Sequence, residues 1–113
     1  YDITHGLGLA IVTPRWMRYI LDASTAPKIR DFAVNVFGVD ASLSDMDAAM
    51  KGIECLEDFF FNKLGLKSRL SDIGIDDKNI DIMAKKACNG KDTLNGWKVL
   101  TPEQIADILR NCL

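Results

Sequence analysis

The chain has 113 residues, 48% of them hydrophobic and 27% charged, and its 14 basic and 16 acidic groups give a net charge of −2. That length fits one domain, the apolar fraction excludes a polar tract unable to collapse, and no run nears the roughly 18–20 apolar residues that cross a bilayer. The balanced charge argues against a nucleic-acid partner, whose phosphates call for clustered cations.

Helical periodicity dominates from the start. Gly6 to Asp22 reads as a helix despite Pro14. That proline has no N–H for the Ala10 carbonyl and crowds it, so a kink or break is expected near residues 10–14. A second helix places Ile29, Phe32, Ala33, Val36 and Phe37 on one stripe, with Pro27 in its first turn and Gly38 at its end. Ser44, followed three residues later by Asp47, caps a third. Its apolar positions Met46, Ala49, Met50, Ile53, Leu56, Phe60 and Leu64 recur at helical spacing up to Gly65. The run Phe59-Phe60-Phe61 is too wide for one stripe and implies neighbours on more than one side.

Ser71 to Ile75 reads as a turn, after which Asp76 or Asp77 caps a fourth helix. Ile80, Met83, Ala84, Ala87 and Cys88 form its apolar face, Lys85 and Lys86 suit its C-terminal end, and Asn89-Gly90 stops it. The fifth helix has Thr101 as cap, Pro102 first, Gln104 three after the cap, then Ile105, Ile108, Leu109 and Cys112. Five helices and no convincing strand predict an all-α bundle forming a single unit over 1–113. The chain begins at Tyr1 with neither an initiator methionine nor a signal peptide, and enters an apolar stretch almost at once. It therefore reads as a piece of a larger or processed protein. Residues Leu7 to Tyr19 are expected to carry exposed apolar surface through which the isolated piece self-associates.

Cys55, Cys88 and Cys112 are odd in number, far apart and at apolar helical positions, so they read as core residues of a reduced, cytoplasmic protein. The only histidine, His5, lies in Thr4-His5-Gly6-Leu7-Gly8 at the mouth of the first helix. An imidazole can ligate a metal there, and the glycines allow close approach, but a catalytic metal takes three or more protein ligands. Any such site must draw its other ligands from outside this chain. Gly6-Leu7-Gly8 lacks the third glycine and the preceding strand of a dinucleotide loop. Glu54, Glu57 and Asp58 read as a solvated helix face rather than an acid/base pair. Trp16 reads as core or interface, and Trp97 as a cover over the end of the bundle.

The run Thr4-His5-Gly6-Leu7-Gly8-Leu9-Ala10, then Pro14, Trp16, Met17, Arg18 and Tyr19, resembles the iron-containing alcohol dehydrogenases, and most of all their butanol dehydrogenase branch. Leu64-Gly65-Leu66 with Leu70 to Ile75, and Leu100 to Ile105, resemble later passages of the same family, in the same order. Lys67 and Gln104 depart from it, standing where a proline and an acid are usual.

The resemblance implies that this chain is the C-terminal part of a helical, metal-binding domain (dehydroquinate synthase-like) whose nucleotide-binding partner domain lies upstream. It makes His5 the last of four metal ligands, the others being an upstream aspartate and two histidines. It further implies a cytoplasmic, homo-oligomeric parent that interconverts small primary alcohols and aldehydes with NADP(H) or NAD(H), with a lean toward NADPH. Iron, or zinc in some members, would polarise the alcohol so that hydride can pass to nicotinamide. The fragment alone is then inactive. Two other readings compete: a free-standing helical interaction module without catalysis, and a polyol dehydrogenase, which the Trp16 to Tyr19 run disfavours.

Overall fold

In the computed structural model of the chain, residues 5–88 and 96–113 are described. Five α-helices, and no strand, occur among them: α1 (His5–Ile20), α2 (Ala26–Phe37), α3 (Asp45–Glu57), α4 (Ile80–Ala87) and α5 (Pro102–Asn111). This is the all-α architecture expected from the periodicity.

Local chemistry sets most of the helix ends. Gly38 takes the left-handed conformation (φ 67°) and its N–H closes α2 on the Val34 carbonyl. The Ser44 hydroxyl accepts the Asp47 N–H at 3.1 Å to start α3. Of the two aspartates before α4, Asp76 does the capping, accepting the Lys78 N–H at 2.9 Å across a short 3-10 turn, Asp77–Asn79. The α5 start is a reciprocal capping box: Thr101 accepts the Gln104 N–H at 3.2 Å, and Gln104 accepts the Thr101 N–H at 2.9 Å. Gln104 thus does by its amide oxygen what an acid would do there. The proposed stop at Asn89-Gly90 lies outside the described residues.

The fold departs from the sequence expectations in three places. First, α1 runs unbroken through Pro14. The proline is fully buried, its neighbours Ile11, Met17 and Ile20 are core residues, and packing overrides the local cost of the missing hydrogen bond. The Arg15 guanidinium donates to the Ile11 carbonyl at 3.0 Å beside the disturbed turn. Second, the third helix does not run as α-helix to Leu64. It widens after Glu57 into a π-helical turn, Asp58–Lys63, in which the Leu64 N–H reaches back five residues to the Phe59 carbonyl at 2.9 Å. The widening divides the three phenylalanines: Phe59 is exposed, Phe60 packs on the core, and Phe61 lies under the Arg15 guanidinium at 6.0 Å. Third, Val36, Met46, Leu64 and Ala87, expected on buried stripes, face outward, Val36 with 62% exposure. They lie within their stripes rather than at the edges, and periodicity alone does not say how far along each stripe the neighbouring helices reach.

The core gathers Ile11, Met17 and Ile20 of α1 with Ile29, Ile53, Ile80, Ile108 and Cys112 from the other helices. Burying each large aliphatic side chain contributes about 1.5–3 kcal/mol. α2 and α3 approach closely because small residues meet between them: a Cβ on Gly52 would lie 2.4 Å from the Ala33 Cβ. Thr25 is the one polar side chain fully buried among the described residues. Its hydroxyl donates to the Ile20 carbonyl at 2.8 Å and accepts the Asp22 N–H at 2.9 Å, tying the end of α1 to the start of α2.

The α2–α3 contact gives a direct test. Gly52→Ala should destabilise the chain by about 1–3 kcal/mol through overpacking. Adding Ala33→Gly should recover a large part of that loss, since it removes the atom that is struck. Urea unfolding of the two single variants and the double variant measures both effects.

Candidate functional site

His5 is the first residue of α1; its side chain lies outside the described part of the structure. At roughly 100° per residue, positions 5, 9, 12 and 16 share one face of α1. Leu9, Val12 and Trp16 on that face, with Thr13 at its margin, wall an apolar groove of about 710 Å³. α4 supplies Met83 and Ala87 on the far side, and Ile105, Ile108 and Leu109 of α5 form the floor. The opposite face of α1 carries the core residues Ala10, Ile11, Pro14 and Met17. α1 is therefore apolar on two sides, one buried in the core and the other half-covered, with Leu9 exposed.

The exposure expected for Leu7 to Tyr19 is accordingly local. Leu9 is 52% and Tyr19 37% exposed, while Leu7, Val12 and Trp16 are half-buried. Among the described residues, nothing lies within 4 Å of a Cβ added at Gly6.

One end of the groove is fastened. Trp97 stacks on Trp16 with ring centroids 5.5 Å apart and planes inclined by 26°, so the two tryptophans expected separately in core and cover meet as a pair. Next to it the Lys98 ammonium pairs with Asp22. That ammonium, then the Ser24 hydroxyl and the Thr25 and Ser24 backbone N–H groups, hold the Asp22 carboxyl well below the usual carboxylate range. On the other flank of α1, Arg18 grips Glu57 of α3 with two bonds, of 3.0 and 2.5 Å. Glu57, expected as part of a solvated face, is thus committed to a structural pair.

Among the described residues no three His, Cys, Asp or Glu side chains are grouped to hold a metal ion. The three cysteines are free thiols, Cys55 half-buried and Cys88 and Cys112 buried. Burial pushes the Cys112 thiol up, against a smaller opposing pull from Arg15, and its Sγ donates to the Ile108 carbonyl at 3.2 Å. Among the described residues no helix is long and apolar enough to cross a membrane. As a metal centre this chain offers one imidazole at a helix mouth, a donor of the right chemistry for iron or zinc but a single one.

The model of the Fe-containing alcohol dehydrogenase family, C-terminal, matches residues 1–113. The chain belongs to this family. NADH-dependent butanol dehydrogenase B of Clostridium acetobutylicum is 51% identical over 87 residues, which cover 77% of this chain and 22% of the relative. A probable NADH-dependent butanol dehydrogenase 1 of Bacillus subtilis is 40% identical over 115 residues, covering 100% of this chain and 29% of the relative. The crystal structure of a 1,3-propanediol oxidoreductase superposes with a TM-score of 0.86 at 27% identity, over 100% of this chain and 29% of that one. The chain thus spans less than a third of the length of these family members. The higher identity to butanol dehydrogenases agrees with the resemblance carried by Trp16 to Tyr19.

The Asp22 pair predicts a pH effect. A carboxyl held below its unfolded value contributes stability above the ordinary carboxylate range and loses it as pH falls through the folded value. Asp22→Asn should therefore flatten the acid limb of the stability–pH curve below about pH 4. Thermal melts from neutral to strongly acidic pH compare the two; superimposable acid limbs would rule out the contribution.

Proposed function

We propose that this chain is the C-terminal part of the metal-binding helical domain of an NAD(H)-dependent alcohol dehydrogenase that interconverts short primary alcohols and aldehydes. The observation that carries the reading is the match of the family's C-terminal model over the whole chain, with Thr4-His5-Gly6-Leu7-Gly8-Leu9-Ala10 at the opening of α1. The names of the butanol dehydrogenase relatives support NADH over the NADPH toward which the resemblance leaned.

In this reading His5 supplies one metal ligand and the remaining donors come from outside the chain. The metal, when bound, supplies Lewis acidity toward the substrate oxygen. This chain's own part is positional. α1 holds residue 5 at its first turn, and the burial of Ile11, Pro14 and Met17 fixes the axis of that helix. The Arg18–Glu57 pair and the Trp16–Trp97 stack restrain it from two other directions. Such restraint counts because a ligating group must be held within a fraction of an ångström. His5 ligates as neutral imidazole, so metal affinity falls as the solution is acidified.

In the full-length parent, His5→Ala should lower metal affinity by more than the roughly 10–100-fold typical of losing an outer-shell partner. It should abolish butanal reduction with NADH while leaving the melting curve of the apo-protein near that of the parent. The 113-residue chain alone should hold no stoichiometric iron or zinc and show no turnover. Elemental analysis after dialysis and an NADH absorbance assay read these outcomes. Full metal occupancy in the His5→Ala parent would overturn the assignment.

A further inference from the structure

We infer that Pro14 is a positioning residue for His5: the opening it forces in α1 sets where the first turn of that helix places residue 5. The inference rests on the ligand reading above and adds what aims that ligand.

Three observations carry it. Pro14 is fully buried inside α1, where proline is the least favourable residue for a helix and alanine the most favourable. Filling the space there does not call for a proline, so the residue answers a need other than the fold. Its effect is also local and directional. With no N–H at residue 14 and a ring against the Ala10 carbonyl, the turn 10–14 opens on the proline's side. Beside it the Arg15 guanidinium, lying over Phe61, reaches the Ile11 carbonyl at 3.0 Å, a donor from outside the helical ladder. Finally, the opening is held rather than loose, because both limbs are anchored. Ala10 and Ile11 are buried on one side of it, Met17 and Ile20 on the other.

The lever is long enough to matter. His5 stands five positions before Ala10, about 7.5 Å along the axis. A tilt of about 20° at the opening moves that end by about 2.6 Å. Metal–ligand distances hold to within about 0.2 Å, so the displacement exceeds the tolerance of a coordination bond roughly tenfold.

The test uses the full-length parent, stripped of metal and titrated with cobalt(II), whose visible bands report coordination geometry. Pro14→Ala should weaken cobalt binding at least about tenfold and shift those bands, while the melting temperature of the apo-protein stays close to the parent's. Pro14→Thr, whose hydroxyl can bond back to the Ala10 carbonyl and bend the helix, should keep more of the affinity than Pro14→Ala. Ile53→Val, a change in the buried core of α3, should lower the melting temperature and leave cobalt binding within about twofold. In crystals of the apo-proteins superposed on residues 15–20, the first turn of Pro14→Ala should lie more than about 1 Å from its place in the parent.

Unchanged cobalt binding in Pro14→Ala would overturn the inference. So would a first turn that has not moved, a Pro14→Thr protein binding no tighter than Pro14→Ala, or an equal loss of affinity in Ile53→Val. A Pro14→Ala parent that does not fold would overturn it too, because the proline would then serve the fold. If His5→Ala keeps its cobalt, the ligand reading fails whatever Pro14→Ala does; if His5→Ala loses it and Pro14→Ala keeps it, only the aiming role fails.

Discussion

The two-sided apolarity of α1 is the constraint on which the rest of the structure depends. A helix with one apolar stripe can lie on a surface, but one with two must be enclosed. The core face, Ile11, Pro14, Met17 and Ile20, is enclosed by α3 and α5, and this contact lets a proline sit in mid-helix without ending it. The other face is left to the groove. The Trp16–Trp97 stack and the Arg18–Glu57 pair are fastened to this one helix, and the Asp22–Lys98 pair to the turn that ends it. Their individual strengths are modest because they lie near solvent. Their joint effect is to give the residue at the head of α1 a defined place.

Much of the fold was legible because it is written locally. The Thr101/Gln104 capping box, the Ser44 cap and the left-handed Gly38 are each decided by residues within a few positions of one another. What stayed hidden was tertiary. Nothing in the spacing of Val36 or Ala87 says that they stay exposed, and nothing local predicts that Trp16 and Trp97 meet. Gly52 gave no signal of its own, because the close approach that excludes a side chain there is made by Ala33, nineteen positions away in the sequence, on another helix.

The candidate site divides in the same way. A lone histidine near a chain start carries little information, since one imidazole does not make a metal centre. His5 gained its meaning from the run around it, Thr4 to Ala10, and from the family match over the whole chain. The groove was half legible: the apolar stretch from Leu7 onward showed a helix with too much apolar surface. Its far wall needed α4 and α5 to be placed.

The π-helical turn at Asp58–Lys63 has a consequence for how this part of the family can change over time. Because it holds one more residue per turn than the helix it continues, it is equivalent to a single-residue insertion absorbed without breaking the rod. Excising one residue there would let the coil tighten into regular α-helix with the following segment left in place, at the cost of the five-residue reach from the Leu64 N–H to the Phe59 carbonyl. Lineages can accordingly differ by one residue across these six positions while the helices on either side keep their places.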